Sequence, residues 1–532
     1  MRRLSLLVAV LAALSFASSV AASPLVIVWG RGWGHGIGMS QWGAYGLATG
    51  YAVDHTYSYQ EILAHYYTGT TIGTRPASSV GVLLASGRSS VRIGSAADFK
   101  VGTRVHPAGN PLVSPTATGR IKVEGLTGTF PSPTTFAPGT AVLALGSAHY
   151  RGRLIVSVVS GRLRVVNRLN IESYLKGVVP RESPSSWPLE ALKAQAVAAR
   201  SYALTSSGKC SGFLCSDTRD QVYGGFDGEA ASSNAAVDAT AHEVVEYGGA
   251  VARTFFSSSS GGRTATPVDG FGPGATNLAY LQSVDDPADL NGTNPNRFWK
   301  HVYTARAFGQ ALGTGAPNDV VVNRNDSGRA GTVNVMTAGG STGFSGFTLR
   351  SSLGLRSTRF WVVVQDMTTS RRSACKKAVI VNVFSRGFSN ATLQQRPVTG
   401  STWTAVPLTR VDATHMQATR RPCVSVDFRL LTAYATGPRA HHSVYPDIGM
   451  TLNAAGTAVR GSVNPLLPGT TVTIQRHTPS GWKAVASAVI RADGTFSARL
   501  HAVAGAYRAR VIPPASTGLV TGYSPVLHVV TS

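Results

Sequence analysis

The amino-acid sequence predicts an α+β, β-rich protein of several domains, organised around one alanine-rich helix and ending in one or two small immunoglobulin-like β-sandwiches. Three observations lead there. The chain has 532 residues, too many for one ordinary domain, and its 58 glycines and 27 prolines mark many turns and short strands. The clearest helical period runs through Leu189, Leu192, Ala196, Ala199 and Ala203, small and apolar residues on one stripe. From about residue 365 the helical period gives way to short β runs with an internal repeat.

The elements follow in chain order. Arg2 and Arg3 precede an apolar run over residues 4–16 and small residues at Ser19-Val20-Ala21-Ala22, so residues 1–22 read as a secretory signal peptide. Residues 23–75 carry a glycine-rich block, Gly30-Arg31-Gly32-Trp33-Gly34-His35-Gly36-Ile37-Gly38-Met39-Ser40-Gln41-Trp42-Gly43-Ala44. A short amphipathic helix follows around residues 59–67, with Ile62, Leu63, Tyr66 and Tyr67 apolar. A central domain is expected over residues 76–361. Its first half is β-rich, with strand-like runs at residues 80–84 and 153–159.

The long helix opens at Trp187-Pro188-Leu189-Glu190, with Ser185 or Ser186 as cap, Pro188 in the first turn and Glu190 near the positive dipole end. The stretch 170–178 before it reads as a shorter helix. Residues 362–440 form a small, degenerate β domain and residues 441–532 an immunoglobulin-like sandwich. Gln395-Arg396 with Trp403 echoes Gln475-Arg476 with Trp482, and Phe428-Arg429 echoes Tyr507-Arg508.

Composition bounds the partners. The net charge is +24, a field that gathers anionic polymers without defining a site. Nucleic acid is not expected, because basic helices, zinc-finger spacing and aromatic RNA motifs are all missing. The glycine spacing near His35 lacks the βαβ context of a dinucleotide site. Four cysteines in an exported chain favour two disulfides. Proximity favours Cys210 with Cys215 and Cys375 with Cys423, although four cysteines allow three pairings. A zinc site near Cys210 lacks nearby histidines, so no metal or cofactor is expected. A transmembrane segment is not expected in the mature protein.

The run Leu169-Asn170-Ile171-Glu172-Ser173-Tyr174-Leu175-Lys176-Gly177-Val178-Val179-Pro180-Arg181-Glu182, continuing through Trp187-Pro188-Leu189-Glu190-Ala191-Leu192-Lys193-Ala194-Gln195-Ala196-Val197-Ala198-Ala199-Arg200-Ser201-Tyr202, resembles the signature of the SpoIID/LytB family. Gln221-Val222-Tyr223-Gly224-Gly225, Phe255-Phe256-Ser257-Ser258-Ser259-Ser260-Gly261-Gly262 and Tyr280-Leu281-Gln282-Ser283-Val284-Asp285-Asp286-Pro287 extend the likeness across about residues 80–361. Two departures stand out. The Gly-His-Gly block precedes the rest, as though permuted, and Asp220 stands where some relatives place a cysteine.

The resemblance implies a secreted, cell-wall protein acting on peptidoglycan glycan strands. It is either a lytic transglycosylase or a modifier that stimulates an amidase; anionic wall polymers are further candidate partners. It implies Glu182 as the catalytic acid, in a non-helical link flanked by apolar residues that raise its pKa. A transglycosylase needs one acid/base group, because the muramic C6 hydroxyl replaces water and leaves 1,6-anhydromuramyl ends. A hydrolase needs a second carboxylate, for which Asp217, Asp220 and Asp227 are candidates. His35 and Gly36 lie in a loop where backbone can approach a sugar, with Ser40 and Gln41 beside them. Arg200, Tyr202, Gln221, Tyr223 and Ser258 complete the expected substrate contacts. The serine run lacks the strand–turn–helix setting of a nucleophilic serine.

Overall fold

Leu25–Gly30 is buried along its apolar run, because it is the second strand of a seven-stranded sheet rather than an edge. It lies antiparallel between Trp299–Thr304 and Phe360–Ser370, with Leu25 opposite both Thr304 and Gln365. The sheet continues through Val379–Arg386 and His415–Arg420 to Thr409–Arg410. The structure, a computed structural model, describes residues 19–21, 24–206, 208–386, 391–432 and 436–530. The expected signal peptide therefore lies outside the described residues, except for residues 19–21.

The glycine-rich block leaves that sheet and returns as Met39–Ser40, which runs parallel to Phe256–Ser257. Helix α1 (Gln41–Ala48) starts there, capped by the Ser40 hydroxyl, which accepts from the Gly43 N–H. Helix α2 (Tyr59–Tyr66) is fixed by a capping box in which Ser58 and Glu61 satisfy each other's backbone N–H groups. The two expected strand runs sit in Ser79–Arg88 and Arg153–Val159. Together with Arg162–Asn170, Thr134–Ala137 and shorter partners, they form a second seven-stranded sheet. A smaller five-stranded sheet shares its core, which includes Ile93, Phe99, Val113, Phe136, Leu154 and Val165.

Helix α3 (Ile171–Glu182) is longer than the sequence reading. It opens at Asn170, whose side chain accepts from the Glu172 N–H, and passes through Pro180 in its last turn. A proline there removes one backbone donor without preventing the Ser183 N–H from closing on the Val179 carbonyl at 2.9 Å. Glu182 is thus the last helical residue, not part of a non-helical link.

Helix α4 (Leu189–Thr205) is the alanine-rich helix, but its N-cap is Pro188, without a side-chain cap. It is buried on more than one face. Leu192, Ala196, Ala199 and Ala203 pack against α3, whereas Ala194, Val197 and Ala198 pack against α1 and α2. A helix between two cores needs small residues all round, so the expected single stripe is too narrow. Leu189, read as the start of that stripe, is exposed.

The β-rich α+β class is therefore what the chain adopts. Beyond residue 360 the central sheet shares the core of Met367, Val383, Leu393, Phe428 and Leu430 with a five-stranded sheet that includes Thr392–Pro397, Val426–Leu431 and Thr436–Tyr445. A final pair of sheets encloses Ile448, Val459, Phe496, Ile474, Tyr507 and Val511. Among the described residues, no helix is long and apolar enough to cross a membrane.

Candidate active site around Glu182

Glu182 is half-buried at the C-terminal end of α3. Its Oε1 accepts from the Val222 N–H at 2.9 Å, and its Oε2 accepts from Gln41 Nε2 at 3.1 Å. Burial pushes the carboxyl above the usual carboxylate range, and the two donors oppose that rise. The group can hold a proton, and it has a prepared place for the negative charge once the proton leaves. Gln41 is the first residue of α1, so the glycine-rich block reaches the acid across 141 positions of sequence.

An aromatic cluster flanks this acid. Trp187, five residues beyond Glu182, lies 4.8 Å from Trp42 and 5.2 Å from Tyr45 between ring centroids, with all three rings half-exposed. Trp42 and Tyr45 belong to α1, the same helix that supplies Gln41.

The position of α1 is held by two buried carboxylates that the sequence reading did not single out as site residues. Ser40 donates to Asp289 Oδ1 at 2.7 Å, and Ser259 donates to Asp289 Oδ2 at 2.8 Å. Ser260 donates to Asp286 Oδ2 at 2.7 Å, and Tyr66 donates to Asp286 Oδ1 at 2.9 Å. Burial, then the neighbouring Asp289 charge, pushes Asp286 up to about 8. Asp289 is also raised by burial. The Asp285-Asp286-Pro287 motif and the serine run were visible in sequence, but their meeting with Ser40 is a long-range event.

The other expected substrate contacts are placed as follows. His35 accepts the Ile37 N–H on Nδ1 at 3.0 Å and lies 4.8 Å from the Phe271 ring. Burial, aided by Arg329 and Arg350, pushes it down to about 3, so it is a neutral ring in this loop. Gly36 has φ +76°, and a Cβ there would fall 1.8 Å from Arg329 Nη2. The close backbone approach is therefore to a buried guanidinium of the protein itself. Ser40 is spent on its cap and on Asp289.

Arg200 is 1% exposed and forks onto Glu172, with further bonds to the Glu243 and Val237 carbonyls. Tyr202 donates to Asp220 at 2.9 Å, Gln221 bridges Tyr174 and the Ala199 carbonyl, and Tyr223 donates to Asn167 at 2.8 Å. These four buried side chains build the frame around α3 and α4. Ser258 accepts from Asn296 at 3.4 Å and is half-buried.

The candidate second carboxylates are engaged elsewhere. Asp217 pairs with Arg219, and Asp227 binds His149 through both its backbone and its ring. Asp220 accepts from Tyr202 and from the Cys215 N–H. Disulfides join Cys210 to Cys215 and Cys375 to Cys423. Among the described residues, no cluster of three or more His, Cys, Asp or Glu side chains is arranged to hold a metal ion.

The geometry defines a domain built around one protonatable glutamate at a helix end, cross-braced by a glycine-rich loop. Residues 159–247 match the SpoIID family, described as stage II sporulation protein. An uncharacterized protein of Brachyspira hyodysenteriae (strain ATCC 49526 / WA1) is 42% identical over 132 residues, 24% of this chain and 36% of that protein. The amidase enhancer of Bacillus subtilis (strain 168) is 31% identical over 186 residues, 32% of this chain and 25% of that protein. The chain thus spans about a third or less of the length of these relatives.

A complex of Dpr2 Ig1-Ig2 with DIP-Theta Ig1-Ig3 matches 29% of the chain and 62% of its own at 14% identity, with a TM-score of 0.14. Murine CEACAM1b matches 30% and 95% at 13% identity, with a TM-score of 0.13. Scores this low do not assign an immunoglobulin fold.

Proposed function

We propose that the protein is a peptidoglycan lytic transglycosylase, acting outside the membrane in the cell wall, with Glu182 as its single acid/base. The observation that carries this reading is the Glu182 environment: burial favours the protonated acid, and Val222 N–H and Gln41 Nε2 receive the carboxylate. Protonated Glu182 gives its proton to the glycosidic oxygen as the bond from muramic C1 breaks. The muramic C6 oxygen then bonds to C1, and its hydroxyl proton returns to Glu182. Water is not consumed, and the product ends in 1,6-anhydromuramic acid.

Trp42, Tyr45 and Trp187 supply flat apolar surface beside the acid for the sugar faces. The engagement of Asp217, Asp220 and Asp227 elsewhere favours the one-acid route over a two-carboxylate hydrolase. Two disulfides suit an oxidising exterior. The test is digestion of glycan strands freed of stem peptides, with products read by mass spectrometry. Anhydromuramyl ends from wild type, absent from a folded Glu182→Gln variant, support the reading; cleavage by that variant overturns it.

The second reading is a non-catalytic wall-binding modifier of an amidase, favoured by the 31% identity to the Bacillus subtilis amidase enhancer. In that role the protein binds glycan, stimulates the amidase without cleaving strands itself, and tolerates Glu182→Gln.

A further inference from the structure

The two C-terminal β units repeat one arrangement of three side chains. Thr392–Pro397 pairs with Val426–Leu431 so that Gln394 lies opposite Arg429. Thr471–Thr478 pairs with Gly505–Val511 so that Gln475 lies opposite Arg508. In both, the arginine Nε donates to the glutamine Oε1, at 2.9 Å and 2.8 Å. In both, the guanidinium then lies over a tryptophan, 4.1 Å from the Trp403 centroid and 4.2 Å from that of Trp482. The sequence reading matched Gln395 to Gln475; side-chain alternation moves the match by one position, because Gln395 faces the other way and accepts from Arg420.

Core packing does not require these triads. Phe428 and Tyr507, adjacent to the two arginines, are the buried inward residues, so Arg429 and Arg508 project to the outer face, half-exposed. The glutamine pins each guanidinium by its Nε, which holds the plane against the ring. The stacks are extended differently. Arg396 adds a second guanidinium 4.9 Å from Trp403, beside a cavity of about 230 Å³. Tyr523 adds a second ring 4.1 Å from Arg508. Residues 362–440 hold eleven Lys and Arg against three Asp, and residues 441–532 seven against two, so both units are positive.

A guanidinium stacked on a half-exposed ring and pinned at Nε presents its edge N–H donors next to apolar ring surface, which suits a ligand that alternates sugar C–H faces with anionic groups. We propose that the Trp403–Arg429 and Trp482–Arg508 stacks are two related binding sites for an anionic polysaccharide, one whose sugars carry carboxylate or phosphodiester charge. Each site takes a sugar against the ring and an anionic oxygen on the guanidinium. Two copies on one chain give avidity along a repeating polymer. The proposal is independent of Glu182.

The test uses the full chain with four probes: polygalacturonate, phosphodiester-bearing mannan, neutral dextran and inorganic polyphosphate. The expected result is binding to one or both charged polysaccharides, at least about tenfold tighter than to dextran, with the preferred probe identifying the anion. A Trp403→Ala/Trp482→Ala variant keeps net charge and loses about tenfold or more for that polysaccharide, while polyphosphate binding stays near wild type. Arg429→Lys/Arg508→Lys, which retains charge but not the pinned plane, guards against misfolding of the first variant and shows the same selective loss. The proposal is overturned if neither polysaccharide binds, if binding survives both folded variants, or if polyphosphate binding falls in parallel.

Discussion

Gln41 donates to Glu182 at 3.1 Å, joining the first residue of α1 to the last residue of α3. This bond brings a glycine-rich block placed ahead of the domain to the Glu182 carboxyl. The block enters on one sheet, pairs with Phe256–Ser257, and delivers α1 with its cap already anchored to Asp289.

On the proposed function, Glu182 sets the pH dependence of cleavage. Its raised pKa keeps the acid protonated further up the pH scale, and activity falls as pH rises through that value. Gln41→Ala removes a donor that favours the carboxylate, so the alkaline limb moves to higher pH. Rates of anhydromuramyl release across pH 4–9 check this; an unmoved limb assigns Gln41 no part in tuning the acid.

Asp286 makes the fold less stable as pH rises. Its folded pKa of about 8 lies above its ordinary value of 3.8, so the folded state holds the extra proton between the two. Stability contributed by protonation is present at low pH and declines as pH climbs through that window. Asp286→Asn keeps the shape without the titration and flattens the decline, as melting temperatures from pH 5 to pH 9 will show.

Gly36→Ala combines a positive φ with a Cβ 1.8 Å from Arg329 Nη2. Destabilisation of about 2 kcal/mol or more is expected from urea unfolding. Ser40→Ala loses the α1 cap and leaves Asp289 short of a donor, for a cost of about 1–3 kcal/mol.

Arg200→Met separates framing from substrate contact. Removing the guanidinium leaves Glu172 without its partner, and stability falls by about 3–5 kcal/mol. Trp187→Ala does the reverse: it leaves the Arg200–Glu172 fork intact and raises KM for glycan strands, with a smaller loss of stability from the packing of Trp187 on the α3–α4 core. Equal effects of the two substitutions on KM and on melting would contradict this division.

Much of the site was legible because its motifs are contiguous. The alanine-rich helix and α2 follow from local pattern, whereas Glu182 stands out through the motif that resembles the SpoIID/LytB signature. The errors arose where a residue's surroundings come from far along the chain. Arg200, Gln221 and Tyr223 sit inside recognisable motifs, but a motif does not separate side chains that line a cleft from those that brace it. Burial does, and burial depends on both cores that enclose α4. The helix read over 170–178 runs on to Glu182, because a proline near the last turn costs only one bond. Asp286 and Asp289 do not stand out in the sequence because their partners Tyr66 and Ser40 lie 220 and 249 positions away.

The central claim is that the C6 hydroxyl of the sugar, not water, completes the reaction at Glu182. Digestion of peptide-free glycan strands in ¹⁸O-labelled water, followed by mass spectrometry, reads this directly. The account predicts anhydromuramyl ends without ¹⁸O, and their loss in the folded Glu182→Gln variant. One ¹⁸O at each new reducing end would establish hydrolysis instead, and intact strands bound by wild-type protein would contradict the account in favour of a non-catalytic wall-binding role.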